Sequence, residues 1–327
     1  MTASTNHPVS HPVQILPPEI ARWSDSNCGT PYVHERSANA SGPDVLVTAL
    51  VHGNEYAGAI ALSELLASRW CPARGRVTFA FCNVVAFARF DAQNPDASRF
   101  VDEDFNRVWS PARLNSSAQS TELTRARQIR PFVDRATHLL DLHSMHEPAP
   151  PWWVTGLLSR NIAFAQSLQM PVQVVVDPGH QDGVRMRDQG EFGSSVSDRI
   201  ALLLEAGQHW QASSVSVVKN SVMRFLRLAK AVTSAEIPAG WLMPDCAPPA
   251  PVWVTDRVVA RSKDFVFTYP FTGGETIAQK GTVIAMDGGE PIETPYDDCV
   301  LVMPSVRQLY PGVTTVRLGR VVGIPPP

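Results

Sequence analysis

His52-Gly53-Asn54-Glu55 sets an imidazole and a carboxylate three positions apart at the expected end of a strand. Across a turn both side chains can reach one point, and nitrogen and oxygen donors together suit a borderline-soft divalent cation such as zinc. A hydrolytic centre of this kind takes three protein ligands and leaves a fourth position for water. The third donor is expected from His143 in Asp141-Leu142-His143-Ser144, which also ends a buried strand pattern. Carboxyl ends of neighbouring strands in an α/β sheet converge on one crevice, so segments this far apart in the chain can meet. By itself the His-x-x-Glu spacing is common, and a histidine at a strand end is more often a hydrogen-bonded structural group.

The donors need strands of one sheet, and the hydrophobic patterning supplies them. Residues 44–55, DVLVTALVHGNE, open with a β-branched run, break at Gly53 and pass into AGAIALSELLASRW, whose apolar spacing is helical. RVTFAFCNVVAF reads as one strand, STELTRARQIRPFVDRA as a helix with a charged outer face, and THLLDLHS as a second buried strand. SRNIAFAQSLQ predicts a helix, VQVVVD and RIALLLEAG predict strands, and SSVSVVKNSVMRFLRLAKAV a long amphipathic helix. Such alternation predicts an α/β fold with a mixed, largely parallel sheet flanked by helices.

The texture changes at residues 244–251, PDCAPPAP, a proline cluster unsuited to a helix interior or a central strand. A domain boundary is expected there, dividing the chain into 1–243 and 244–327. Beyond it VWVTDRVVARS, DFVFTYPF, GTVIAMDGG, CVLVMPS and TTVRLGRVVG are short alternating segments parted by Gly, Pro and Asp. They predict a smaller all-β barrel or sandwich domain.

At 327 residues the chain exceeds what one ordinary core needs, and 44% hydrophobic content provides for a sizeable interior. A formal net charge of −3, with no Lys/Arg runs, offers no field to attract a phosphate backbone, which excludes nucleic acid as a partner. Cys28, Cys71, Cys82, Cys246 and Cys299 are odd in number and contain no CxxC pair, so they read as reduced thiols. The first twenty residues lack a basic then apolar leader, and no apolar run approaches a membrane span. These features lead to an expected cytoplasmic location without membrane contact, and are compatible with a homo-oligomer.

Along one α/β pattern the chain carries, in order, His52-Gly53-Asn54-Glu55, Asp104-Phe105-Asn106-Arg107, Asp141-Leu142-His143 and Leu204-Glu205-Ala206-Gly207. The set resembles the succinylglutamate desuccinylase/aspartoacylase family, itself related to the zinc carboxypeptidases, over about residues 44–210 and weakly over the β-rich tail. The resemblance implies one zinc ion per chain held by His52, Glu55 and His143, with Glu55 bidentate. It implies that Glu205 is the catalytic carboxylate, which takes a proton from the attacking water and passes one to the leaving nitrogen. A charge directly after the apolar run IALLL is costly unless it has a partner or such a purpose. Asn106 and Arg107 match the family's pair that grips a substrate carboxylate, for which a guanidinium fork is suited. Arg99 stands where family members carry an Arg that polarises the scissile carbonyl and stabilises the oxyanion. In a loop reading FVDEDF it can equally pair with a neighbouring acid.

Other residues near the motifs are candidates of a looser kind. His146 could replace His143 as a ligand, although it lies past the strand pattern. The polar loop 177–192 makes His180, Arg185 and Arg187 candidate specificity residues, with solvated loop charges as the alternative. Before Glu205 this chain has SSVSDRIALLL, with only Arg199 where aspartoacylases carry a Tyr and an Arg for a second carboxylate. That departure speaks against an N-acetylaspartate-type substrate. Trp152 and Trp153 could line an apolar acyl pocket or simply fill the core. The tail from Phe271 to Val302 resembles a biotinyl/lipoyl-like half-barrel, but Lys280 lacks the setting of a carrier lysine, so a roof over the crevice is expected. The expected function is zinc-dependent hydrolysis of a small N-acyl amino acid, with a peptide-cleaving zinc carboxypeptidase or a non-catalytic binding protein as rivals.

Overall fold

The computed structural model describes residues 11–170, 172–179 and 183–322. The chain runs β1 (Val33–Ser37), β2 (Asp44–Ala49), α1 (Ala57–Ala67), β3 (Arg76–Phe81), α2 (Val84–Phe87), α3 (Pro111–Leu114), α4 (Thr121–Arg135), β4 (His138–Met145), β5 (Trp152–Val154), α5 (Ser159–Ser167), β6 (Gln173–Val176), β7 (Ile200–Gln208) and α6 (Ala212–Leu228). After α6 only strands and short turns follow: β8 (Val252–Val259), β9 (Val266–Phe267), β10 (Thr276–Ile277), β11 (Val283–Asp287), β12 (Glu290–Glu293), β13 (Cys299–Val302) and β14 (Thr314–Val321).

Eleven strands form one mixed sheet in the order β1-β3-β2-β4-β7-β5-β6-β8-β14-β13-β10. Its centre, β3-β2-β4-β7, is parallel, as expected for apolar runs buried on both faces. Val45, Val47 and Ala49 of β2, Leu140 and Leu142 of β4, and Leu202 and Leu204 of β7 share a core with α1 and α6. Leu46, Leu139 and Ala201 point to the other face, against Leu123, Ala126, Ile129 and Val133 of α4. Because side chains alternate along a strand, Asp141 and His143 lie on the α4 face, as does Glu205. The packing that buries the sheet therefore also selects the face on which the polar groups gather.

Several details differ from the sequence-based expectation. The segment RVTFAFCNVVAF is strand only as far as Phe81; the Asn83 side chain accepts from the Ala86 amide (3.3 Å) and starts α2. An apolar run carries no period that separates strand from buried helix, which explains the misreading. β1 and β5 are additional strands, and each pairs antiparallel with a neighbour, so the sheet is mixed well inside its edges. The tail is β-rich, but among the described residues its strands close no barrel. β8, β14, β13 and β10 extend the main sheet, while β12-β11-β9 form a separate antiparallel sheet. The proline-rich stretch 244–251 has neither helix nor strand, and β8 directly after it pairs parallel with β6. Among the described residues no helix is long and apolar enough to cross a membrane.

Candidate active site

Two backbone features turn the first donors inward. Leu50 sits at φ 59°, so the chain leaves β2 sharply; a side chain held in that region costs about 1–2 kcal/mol, strain of a kind that gathers at functional turns. Gly53 is packed backbone against backbone, where a Cβ would lie 2.3 Å from the Ser98 carbonyl oxygen and 2.5 Å from the Phe87 nitrogen. Its amide donates to the Arg99 carbonyl (3.0 Å), which stitches the His52 turn to the segment bearing Arg99.

Glu55 is the hub of the site. Its Oε1 lies 2.7 Å from His52 Nδ1 and its Oε2 3.0 Å from His143 Nδ1, while the Ser144 amide donates to Oε2 (3.1 Å). One ligand atom from each of His52, Glu55 and His143 falls within 4.8 Å of the others, and all three residues are buried. Each imidazole turns its second nitrogen to an acid: His143 Nε2 to Asp141 Oδ2 (3.0 Å) and His52 Nε2 to Asp104 Oδ1 (3.1 Å). Arg99 Nη2 is also 3.0 Å from His52 Nε2. Nε2 can donate to Asp104 or accept from Arg99 but not both, and the donation to Asp104 is the tautomer that leaves Nδ1 with a lone pair for a cation. Thr48 Oγ1 donates to Asp141 Oδ1 (2.7 Å) and steadies that carboxylate in turn.

Two Nδ1 atoms and a carboxylate aimed at one point, with both Nε2 atoms anchored by acids, are the donor set and outer support that a zinc ion takes. The side chains fit a divalent cation on their own chemistry. Electrostatics agree: burial alone would raise the Glu55 carboxyl, but His52 and His143 hold it well below the usual range. Burial likewise disfavours charge on His143, yet Asp141 and Glu55 outweigh it and hold that imidazole well above its ordinary value. A buried cluster this rich in acids favours positive charge at its centre.

Glu205 pairs in register with His143 across the parallel strands β4 and β7. Its Oε2 is inaccessible and has no hydrogen-bond partner. Burial pushes this carboxyl up to about 8, with His143 opposing and Glu55 adding; a cation between His52, Glu55 and His143 strengthens the opposing side.

The loop 99–107 is organised from beneath. α4 starts after Ser120, whose hydroxyl accepts from the Leu123 amide (3.0 Å), and buried Glu122 follows in the first turn. Glu122 Oε1 accepts from the Val101 amide (2.7 Å) and Asn83 Nδ2 (2.9 Å), and Oε2 from the Asp102 (3.1 Å) and Glu103 (3.3 Å) amides. Three backbone N–H groups converging on one carboxylate fix the loop by charge-assisted bonds. Arg99 then donates Nη1 to Glu55 Oε1 (3.1 Å). Asn106 Oδ1 accepts from the Met186 amide (3.0 Å), and Arg107 donates Nη1 to the Asn106 carbonyl (2.8 Å).

Glu55, Arg99, Asn106, Arg107, Arg185 and Glu205 line one cleft of about 220 Å³. The C-terminal segment contributes to the same cleft through Thr272, Met303, Ser305, Gln308, Thr314 and Arg317. Arg185 is bound on two sides, Nε to Asp188 (2.7 Å) and Nη1 to Asp177 (3.1 Å), and Arg317 Nε lies 3.4 Å from the same Asp177 carboxylate. Arg187 is fully buried outside the lining, beside Gly156 and 2.9 Å from Asp188. His146 lines the cleft with Nδ1 3.2 Å from Asp96, outside the three-donor group. His180 lies outside the described residues. Trp152 and Trp153 are buried in β5 and line no part of the cleft; Arg199 donates to the Asp134 carbonyl (2.6 Å), and Lys280 is exposed.

Sequence reasoning gave no role to Asp141, Asp104, Glu122 or Arg317. Asp141 carries a usable signal, standing two positions before His143 and hence on the same strand face. Asp104 opens the Asp104-Phe105-Asn106-Arg107 motif, whereas Glu122 looks like an ordinary acid in a helix first turn, and Arg317 reaches the cleft only through the sheet order.

A family model described as the succinylglutamate desuccinylase/aspartoacylase catalytic domain matches residues 41–232. The chain belongs to the succinylglutamate desuccinylase/aspartoacylase family. That is a family of deacylases. The chain is 36% identical over 110 residues to a protein from Parasynechococcus marenigrum (strain WH8102) named a probable aspartoacylase, a match spanning 31% of this chain and 33% of that protein. In fold it is similar to a putative succinylglutamate desuccinylase/aspartoacylase from Shewanella frigidimarina (TM-score 0.64, 16% identity, covering 88% of this chain and 91% of that one). It is also similar to the product-bound ectoine utilization protein EutE from Ruegeria pomeroyi (TM-score 0.62, 18% identity, covering 88% and 87%).

Proposed function

We propose that this family member is a zinc-dependent hydrolase that cleaves the amide bond of an N-acyl amino acid or a similar small amide bearing a carboxylate. The observation that carries the reading is the meeting of His52, Glu55 and His143 donors beside Glu205, whose Oε2 has no partner, in a cleft that also holds Arg107. When bound there, zinc supplies Lewis acidity and lowers the pKa of water.

The chain's own groups do the remaining work. Glu205, which lines the cleft, takes the proton of the attacking water on its carboxylate and delivers it to the leaving nitrogen, and burial suits it to hold that proton in between. Arg99, fixed beside Glu55, supplies positive charge for the developing oxyanion. Arg107 and Asn106 orient the substrate through its carboxylate, a role for which a guanidinium in a partly dry cleft is suited. The C-terminal lining restricts the cleft to compact substrates.

The test is metal analysis of the purified protein with a chelator-controlled panel of N-acyl amino acids scored for free amine. Amine release that stops on chelation and returns with zinc is expected. A metal-loaded protein that releases amine from none of the panel contradicts the reading.

A further inference from the structure

We infer that Arg307 is a positioning residue that latches the cleft's roof to the loop bearing Arg99 and thereby sets which amides fit; the selectivity part of this rests on the deacylase reading above. After β13 the chain forms a loop, residues 303–313, before β14 begins. Met303, Pro304, Ser305, Gln308 and Val313 of this loop line the cleft. Val306, Leu309 and Val313 pack against Ala260, Phe265 and Ala285, so the loop's apolar anchor lies within the C-terminal strands. Its polar anchor goes the other way.

The Arg307 side chain is 6% exposed. Nε donates to Glu147 Oε1 (2.9 Å) and Nη1 to Asp96 Oδ2 (3.4 Å). Neither acid belongs to the C-terminal strands. Glu147 follows β4, and its Oε2 lies 2.9 Å from His11 Nε2. Asp96 sits in the Pro95–Ser98 turn, with Oδ1 3.2 Å from His146 Nδ1. That turn leads directly into Arg99: the Ser98 carbonyl abuts Gly53, and the Arg99 carbonyl accepts the Gly53 amide (3.0 Å). Against burial, His146 and Arg307 hold the Asp96 carboxyl down at about 2, in agreement with a standing ion pair.

A guanidinium presents separated donors in a rigid fork, so one residue can bridge two carboxylates from different segments; an ammonium is a single point charge. Arg307 uses that geometry to join three parts: the roof loop, the end of β4, and the turn before Arg99. Removing it leaves two acids near the cleft without their shared cation and frees the roof from the side opposite its apolar anchor.

The test compares wild type, Arg307→Gln and Arg307→Lys as full-length, metal-loaded protein in two measurements. Amide hydrogen exchange is followed at Ser305, bonded to the Thr315 carbonyl (2.8 Å), and at Gly53. The ratio of kcat/KM for short against long N-acyl chains is followed in parallel. Arg307→Gln is expected to speed exchange at both amides and to reduce the preference for short chains, each on the order of tenfold, with Arg307→Lys in between. Unchanged exchange at Gly53 while Ser305 loosens overturns the latch, and so does an equal loss of activity on short and long chains. If no acyl chain is turned over, the deacylase reading fails and the exchange data still decide the latch. Should Arg307→Gln not fold, Arg307→Lys decides by the same two readings.

Discussion

His143 and Glu205 are register partners on the parallel strands β4 and β7. A donor of the candidate metal centre and the carboxylate with an unpartnered oxygen are thus spaced by a hydrogen-bonded ladder inside the sheet, where loop motion cannot part them. The separation of their tasks follows: one side chain faces Glu55 and Asp141, while the other faces the cleft.

Glu205→Gln keeps the shape of that side chain and removes its capacity to take a proton. Turnover is expected to fall by about 10²–10⁴, with zinc content unchanged. Steady-state rates together with metal analysis of the same preparation check this, and a variant of near wild-type rate removes Glu205 from the proposed role.

Asp141→Asn tests the outer support of the centre. Asp141 receives Thr48 Oγ1 on one oxygen and faces His143 Nε2 with the other. An amide can no longer accept at both sites, so zinc affinity is expected to drop about 10- to 100-fold. Competition against a chelator of known affinity measures the change; equal affinities show that His143 is oriented without Asp141.

Glu122→Gln should loosen the loop that carries Arg99, Asn106 and Arg107. An amide nitrogen would then confront backbone donors that now converge on a carboxylate, with an expected stability loss of about 2–3 kcal/mol. Both parameters should suffer, KM through the proposed carboxylate-binding pair Asn106 and Arg107 and kcat through the proposed oxyanion role of Arg99, while Glu205 on β7 stays in place. Urea unfolding and the split between KM and kcat report the two effects.

Acid sensitivity has an identifiable contributor in His138. Burial, with Phe164 and Phe225 rings at 5.9 and 6.3 Å, pushes its imidazole down to about 4 from an ordinary 6.5, with Asp198 weakly opposing. The folded state therefore favours the neutral ring, and the unfolded chain takes up the proton first as pH falls. The contribution is fully present above about 6.5 and is lost as pH drops toward 4, on the order of 2–3 kcal/mol in all. Unfolding midpoints of His138→Leu at pH 7.5 and 4.5 should differ less than those of wild type.

Much of this was legible in the sequence because burial imposes periods. The runs around Val45, Leu139 and Leu202 announce central strands, and the spacing within α1, α4, α5 and α6 announces helices. The grouping of His52, Glu55 and His143 was legible because they stand at or near the carboxyl ends of those strands. Short strands such as β5 and β10 carry too few residues for a period. The sheet's continuation through β8 and β14 depends on pairing between distant segments, which no local pattern records. For the same reason neither Arg317 in the cleft nor the Arg307 contacts to Asp96 and Glu147 could be assigned in advance.

The central claim is that His52, Glu55 and His143 hold one divalent cation with Glu205 beside it but outside its ligand set. Zinc stoichiometry of wild type, His52→Ala, Glu55→Ala, His143→Ala and Glu205→Gln tests it most directly. The account predicts one zinc per chain in wild type and in Glu205→Gln, and loss of tight binding in each of the other three. A His143→Ala protein that still binds one zinc tightly, or a wild type that binds none when zinc is supplied, contradicts it.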